Sequence, residues 1–309
     1  MDAYQHLIER IRRNSRPLET DPTGLIPAAG ICREIRSIIF DVYGTLFISS
    51  SGDIGTSKQN AEEILFAEAF KNTQIPLLHS DSPGTARNLY FSAIEEHHRM
   101  ENERGNQFPE VDILQIWEKT VSFLFQNKHI SFLPSPDKLA DLSIEYETLS
   151  NNVWPMPGGK ELLLEISNSD ILPGIISNAQ FYTPLLFPAL MGLTLEDSGI
   201  DESCCIWSYQ MGKAKPSEEL FTSLFSRLKA HLPLLKREEI LYVGNDMLND
   251  IWAANSAGFS TALFAGDTKS LRLRERDPRC SNIKPDFVVT RLSQLSFILG
   301  FSKPKEAEL

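Results

Sequence analysis

The run Ser37-Ile38-Ile39-Phe40 ends at Asp41, with Gly44 close behind it. A stretch this short and apolar, stopped by a polar residue and a glycine, suits a strand buried on both faces better than a helix. Five later runs have the same character: Ile171 to Ile176, Cys204 to Trp207, Ile240 to Val243, Thr261 to Phe264 and Phe287 to Val289. Helical segments separate most of them, so the expected fold class is α/β, a doubly wound parallel sheet with helices on both faces.

The pattern changes between Gly52 and Asn152, where Ala61 to Phe70, Ala86 to His97, Val111 to Leu124 and Leu139 to Leu149 each repeat apolar residues at three-to-four spacing. That is a helical insertion within the sheet domain. The first residues carry an amphipathic helix with Tyr4, Leu7, Ile8 and Ile11 on one face, then a linker through Asp21, Pro22 and Gly24. The expected layout is an arm over 1–33, a core over 34–50 and 155–303, a cap over 51–154 and a tail over 304–309.

A chain of 309 residues, 42% hydrophobic, can bury a sizeable core. Its formal net charge of -11 repels a polyphosphate backbone, so nucleic acid is not an expected partner, while a local basic pocket can still hold a small anionic substrate. Cys32, Cys204, Cys205 and Cys280 lack the paired spacing of a zinc site, and no apolar leader precedes them, which makes a reducing cytoplasm the expected home. The apolar stretch near Leu185 to Leu195 is broken by Pro188 and Gly192 and falls short of the ~20 residues of a spanning helix, so no membrane segment is expected. Nothing in the pattern sets the oligomeric state.

In a sheet of this kind ligands collect at the carboxyl ends of the strands. Asp41 stands there as a candidate nucleophile, since carboxylates attack transferable phosphoryl groups. Taken alone, a strand-end Asp more often starts a turn. Ser177 and Asn178 offer a hydroxyl and an amide to a transferring group, although such pairs usually serve turns and caps. Lys215, before Pro216 and the helix Ser217 to Lys229, brings a point charge to the same place; Lys213 competes with it, and Pro216 is expected in the first turn of that helix. In Gly244-Asn245-Asp246-Met247-Leu248-Asn249-Asp250 two acidic groups four residues apart suit Mg2+, held by one or two carboxylates with substrate and water, while helix capping by Asn245 or Asp246 is the plainer role.

In order, Phe40-Asp41-Val42-Tyr43-Gly44-Thr45-Leu46, Ile176-Ser177-Asn178, Gly212-Lys213-Ala214-Lys215-Pro216 and Val243-Gly244-Asn245-Asp246 through Asp250 resemble the four motifs of the haloacid dehalogenase-like superfamily. The likeness extends to Pro157-Gly158-Gly159 and Lys284-Pro285-Asp286. It implies a hydrolase with Asp41 as nucleophile and metal ligand, the Tyr43 carbonyl and Asp246 or Asp250 as further Mg2+ ligands, Thr45, Ser177 and Asn178 as anion contacts, and Lys215 as the neutralising charge. A Mg2+-dependent phosphatase acting on a small phosphorylated metabolite is the leading expectation.

Two positions depart from the family phosphatases. Tyr43 occupies the place of the usual second aspartate, as in 2-haloacid dehalogenases, and a phenol of pKa about 10 is a poor acid-base group at neutral pH. Asn245 stands where many phosphatases have the first aspartate of the fourth motif. A dehalogenase is therefore the alternative enzyme, favoured by Tyr43 and disfavoured by Asp246, Asp250 and by Phe221, which replaces a tyrosine; a non-catalytic binding module is a third reading. His97 and His98 point about 100 degrees apart on a helix and do not share a metal in this reading. Cys204 and Cys205 read as core residues on alternate faces of a strand. The segment Gly266 to Arg274, with Lys269, Arg272 and Arg274, reads as a solvated loop that could grip an anionic tail, and Arg99, Glu110, Asp112 and Trp117 are candidates for substrate selection in the cap.

Overall fold

The computed structural model describes residues 4–28, 34–50 and 59–301. Cys32, the start of the insertion and the tail lie outside them. The first half contains α1 (Gln5–Asn14), β1 (Ser37–Phe40), β2 (Phe47–Ser49), α2 (Gln59–Asn72), α3 (Ser82–Glu103), α4 (Ile113–Gln126), α5 (Pro136–Ser150) and β3 (Val153–Pro155). The second contains α6 (Gly159–Ser167), β4 (Leu172–Ser177), β5 (Cys205–Trp207), α7 (Ser208–Met211), α8 (Glu218–His231), β6 (Ile240–Gly244), α9 (Ala253–Ser256), β7 (Ser260–Phe264), β8 (Phe287–Val289) and α10 (Ser293–Ile298).

Six strands form one parallel sheet in the order β5-β4-β1-β6-β7-β8. All six are the strands expected from the apolar runs, within a residue at their ends. Both faces are covered. On one, Ile39, Ile176, Ile206 and Tyr242 pack with Leu220, Phe221, Leu224, Ala253 and Ala254 of α8 and α9. On the other, Phe40, Ile175, Cys205 and Val243 pack with Leu162, Leu163 and Leu295 of α6 and α10. Burial of every residue of β1 explains why its sequence runs apolar without alternation. Cys204 and Cys205 divide between the two faces as buried free thiols.

The order of strands decides where chemistry can occur. β1 lies between β4 and β6, so the residues after Phe40, Ile176 and Val243 meet at the carboxyl edge of the sheet. The motifs are far apart in sequence, yet this edge gathers them.

The four helices α2 to α5 pack around a cluster of Phe66, Phe70, Tyr90, Trp117 and Tyr146, with Tyr90 and Trp117 centroids 4.6 Å apart. Two antiparallel strands, β2 and β3, pin the two ends of the insertion together beneath it. Sequence periodicity does not reveal these strands, because each has three residues and owes its pairing to the other. Ser50 N and Asn152 O continue the pairing at 3.0 Å, and Ser49 Oγ donates to Asn151 Oδ1 at 2.9 Å.

The arm ties both parts together. Leu7 and Ile11 of α1 are buried, whereas Tyr4, outside the helix at its N-terminal end, is 58% exposed. Arg10 reaches Asp141 at 2.9 Å and Glu145 at 2.6 Å on α5, while Arg12 donates to the Ala189 carbonyl of the core at 3.0 Å. Further along, Ala28 bridges the edge strand at Val288.

Candidate active site

Asp41 follows the central strand, and its amide donates to Val243 O at 2.9 Å, which fixes the backbone where the side chain departs. Its Oδ1 accepts from Ser177 Oγ at 2.9 Å and lies 2.7 Å from Lys215 Nζ. The same ammonium is 2.6 Å from Asp250 Oδ1. Lysine therefore bridges two carboxylates, and all three groups are more than nine-tenths buried. Among the described residues no hydrogen bond reaches Asp41 Oδ2, so one oxygen is anchored and the other is left to act.

Burial disfavours the Lys215 ammonium, but the charges of Asp250 and Asp41 more than offset that and hold its pKa above the ordinary lysine value. Asp250 moves the other way from an ordinary carboxyl: burial pushes it up, against the pull of Lys215, and the Asp41 and Asp246 charges add to the rise. Two carboxylates facing one ammonium leave a surplus negative charge that a proton or a cation can offset.

Three neighbouring groups orient this centre. Asn178 Oδ1 accepts from the Lys215 amide at 2.7 Å, so the amide side chain holds the lysine loop. Thr45 Oγ1 donates to Asn245 Oδ1 at 3.2 Å, and Asn245 Nδ2 donates to Ser270 O at 2.6 Å. Tyr242, missed in the sequence, places its hydroxyl 3.3 Å from Lys215 Nζ and 3.1 Å from Asp250 Oδ1. Its signal was a phenol inside an otherwise aliphatic strand. Phe221, which stands where the dehalogenases have a tyrosine, packs against the Tyr242 ring at a centroid distance of 5.4 Å, so the phenol that reaches the site comes from the strand.

Two glycines make this convergence sterically feasible. A Cβ on Gly244 would lie 2.3 Å from Asp250 Cγ, and one on Gly44, at φ +80°, would lie 2.6 Å from Asn245 Nδ2. Asp250 sits within a π-helical turn, Met247–Trp252, that leads into α9. The wider turn accompanies an Asp250 Oδ2 that accepts from the Asp246 amide at 2.9 Å.

Other expected residues have different neighbours. Asp246 caps this turn through Leu248 N and Asn249 N and forms an ion pair with Arg274 Nη2 at 2.6 Å. Lys213 pairs with Glu219 at the surface, leaving Lys215 as the lysine of the site. Pro216 lies ahead of the N-cap Ser217 rather than in the first turn of α8, because the chain first turns through Ser217 N to Ala214 O at 3.0 Å. Tyr43 donates to or accepts from Thr183 Oγ1 at 2.9 Å; burial above all, then the Glu147 charge, raises its pKa far beyond the physiological range.

The insertion docks beside the centre. Gln180 donates to Val111 O and accepts from Ile113 N, both at 2.9 Å. Glu110 accepts from Ser208 Oγ at 2.8 Å and is held above an ordinary carboxyl by burial. Phe108 O accepts from Ala214 N at 2.7 Å, one residue before the lysine. Of the selector candidates, Asp112 caps α4, Trp117 is fully buried, and Arg99 pairs with Glu96 and Glu103 on the surface.

A family model described as HAD-hydrolase-like matches residues 213–295, which carry Lys215, Asp246 and Asp250. That match spans 83 of the 309 residues and shows a likeness to HAD-like hydrolases over the part of the core that carries the lysine and the fourth motif. No curated protein matches it. Among solved structures, the 2-haloacid dehalogenase from Pseudomonas syringae pv. Tomato DC3000 is similar at 17% identity and TM-score 0.52, covering 86% of this chain and 99% of that one. That likeness shows the fold. The Bacillus subtilis HAD-hydrolase YfnB, bound to magnesium, is 20% identical at TM-score 0.46, covering 87% of this chain and 100% of its own. A HAD phosphatase from Thermococcus onnurineus is 16% identical at TM-score 0.47, with 86% and 98% covered.

Among the described residues no group of three or more His, Cys, Asp or Glu side chains could hold a metal, and no helix is long and apolar enough to cross a membrane. Mg2+ commonly uses one or two carboxylates and completes its shell with water and substrate oxygens; Asp41 Oδ2 is clear for it, whereas Asp250 has Oδ1 engaged by Lys215 and Tyr242 and Oδ2 by the Asp246 amide. Asp246 is engaged in its ion pair with Arg274.

Proposed function

We propose that the chain is a hydrolase of the haloacid dehalogenase-like superfamily that, with its insertion acting as a cap, transfers a phosphoryl group from a small anionic substrate to Asp41 and releases it with water. The observation that carries the reading is the Asp41–Lys215–Asp250 bridge, in which Ser177 and Lys215 hold one nucleophile oxygen and leave its partner presented. Lys215 offsets negative charge on the arriving group, while Thr45, Ser177 and Asn178 supply short polar side chains around it. Mg2+, held by Asp41 and the Tyr43 carbonyl with water and substrate completing its shell, would supply further charge neutralisation.

Tyr43 is a poor proton donor to a leaving group, engaged with Thr183 and resistant to ionisation. The proposed substrates are therefore acyl phosphates or esters with good leaving groups. The test is a series of aryl phosphates of graded leaving-group pKa, alongside acetyl phosphate, with and without Mg2+ and with Asp41→Asn as control. A rate that rises steeply as leaving-group pKa falls is expected; a flat series would count against the reading.

A second reading, displacement of halide from a 2-haloacid by Asp41 without metal, is favoured by the Arg274 pairing that leaves only two carboxylates at the centre. Halide release that persists in chelator would select it. Anion binding with no turnover on either substrate class would select a binding module.

A further inference from the structure

The loop of the insertion that leads into α4 lies antiparallel to the loop that carries the lysine. Pro109 bridges Lys213, Glu110 N donates to Gly212 O at 3.2 Å, Asn106 Nδ2 donates to the same carbonyl at 2.9 Å, and Phe108 O accepts from Ala214 N at 2.7 Å. Gly212, at φ +62° after α7, turns the chain into this pairing. The next amide, Lys215 N, donates to Asn178 Oδ1 at 2.7 Å. Two successive amides are thus held, one by the insertion and one by the second motif.

One side chain joins these attachments. Glu110 Oε2 accepts from Ser208 Oγ at 2.8 Å, and Ser208 Oγ accepts in turn from Ala179 N at 2.9 Å, next to Asn178. Glu110 Oε1 accepts from Val111 N at 3.0 Å in its own loop. Among the described residues no ion pair reaches this carboxylate, and burial holds its pKa above an ordinary carboxyl. Packing alone does not call for a carboxyl without a counter-charge, since an apolar side chain avoids its desolvation. Two acceptor oxygens, by contrast, let one side chain grip its own loop and Ser208 at once.

We infer that Glu110 is a positioning residue: through Ser208 it registers the insertion against the two loops that carry Asn178 and Lys215, so that the ammonium meets Asp41 from a loop whose place the insertion sets. Its effect on turnover, which rests on the proposed transfer to Asp41, follows from the 2.7 Å contact between Lys215 Nζ and Asp41 Oδ1. Displacement of a catalytic group by about 1 Å can cost about a hundredfold in rate.

The test is amide hydrogen exchange of the whole chain, read at Ala214 and Lys215, in the unaltered protein, Glu110→Ala, Glu110→Gln and Ser208→Ala, beside steady-state hydrolysis of acetyl phosphate. In Glu110→Ala both amides should exchange about tenfold faster with β1 and α8 unchanged, and kcat should fall about tenfold or more with KM changed less than about twofold. Ser208→Ala breaks the same link from the core side and should give the same pattern, so the test stands even where Glu110→Ala does not fold. Glu110→Gln keeps an acceptor for Val111 N and a hydrogen-bonding group for Ser208, and should return both amides to within about threefold of the unaltered rate. Unaltered exchange at Ala214 and Lys215 in Glu110→Ala and Ser208→Ala overturns the inference, as does equal acceleration in β1 and α8, or a raised KM with kcat preserved. An unaltered chain that leaves acetyl phosphate intact tells against the proposed function instead, and exchange at the two amides still decides the role of Glu110.

Discussion

Tyr242 and Asp250 meet at 3.1 Å across the end of β6, and the Lys215 ammonium donates to the same phenol at 3.3 Å. The tyrosine thus braces the lysine against the carboxylate. Tyr242→Phe removes the hydroxyl and keeps the ring on Phe221. A fall in kcat of about tenfold with KM changed less than twofold is expected, equivalent to ~1.4 kcal/mol. Steady-state kinetics check it; an unchanged kcat would show the phenol to be packing alone.

Lys215→Met leaves Asp41 and Asp250 facing one another in a buried site. Removing one member of a buried ion network typically destabilises by about 3–5 kcal/mol. Urea unfolding should show that loss, and it should shrink when Asp250→Asn is added, since the uncompensated carboxylate is then gone. Additive losses in the double variant would refute the coupling.

Gln180 clamps the insertion through Val111 O and Ile113 N. Gln180→Ala orphans both groups and should reduce stability by about 1–2 kcal/mol. Amide hydrogen exchange is expected to speed up at the start of α4 and to remain as before in β1. Uniform acceleration throughout the chain would mean global destabilisation, not release of the insertion.

Glu147 is raised above an ordinary carboxyl because burial outweighs the hydrogen bonds from Tyr182 and Asn151. A carboxyl whose folded pKa exceeds its unfolded value of about 4.3 binds protons more tightly when folded, so stability declines as pH rises from there through the folded pKa. Glu147→Gln removes that decline. The variant should melt above the unaltered chain at pH 7.5, and the advantage should vanish below about pH 4. Parallel melting curves across the range would contradict it.

Gly244→Ala forces a Cβ into the space of the Asp250 side chain. Overpacking of this kind costs about 1–3 kcal/mol, and displacement of Asp250 should reduce turnover more than substrate affinity. Loss of affinity with kcat preserved would show that Asp250 tolerates the shift.

Much of the fold was legible because its determinants are local. The six buried strands are short apolar runs, and burial on both faces leaves them without alternation. The places of Asp41 and Ser177 were legible too, since polar residues at the ends of such runs emerge at one edge of a parallel sheet, and Lys215 and Asp250 were picked out by the motifs that follow β5 and β6. The strands β2 and β3 were not, because neither contains a pattern apart from its partner.

The chain's own order of residues determined the sheet, the insertion between its first two core strands, and the set of side chains delivered to the carboxyl edge. Only the tertiary structure decided how those side chains are shared out. Arg274 lies beyond the next strand from Asp246, yet a loop laid along the fourth motif brings its guanidinium to that carboxylate. Tyr242 reaches Lys215 from a strand whose periodicity marks it only as core. Charges select partners by distance through space, and distance along the chain carries no record of it.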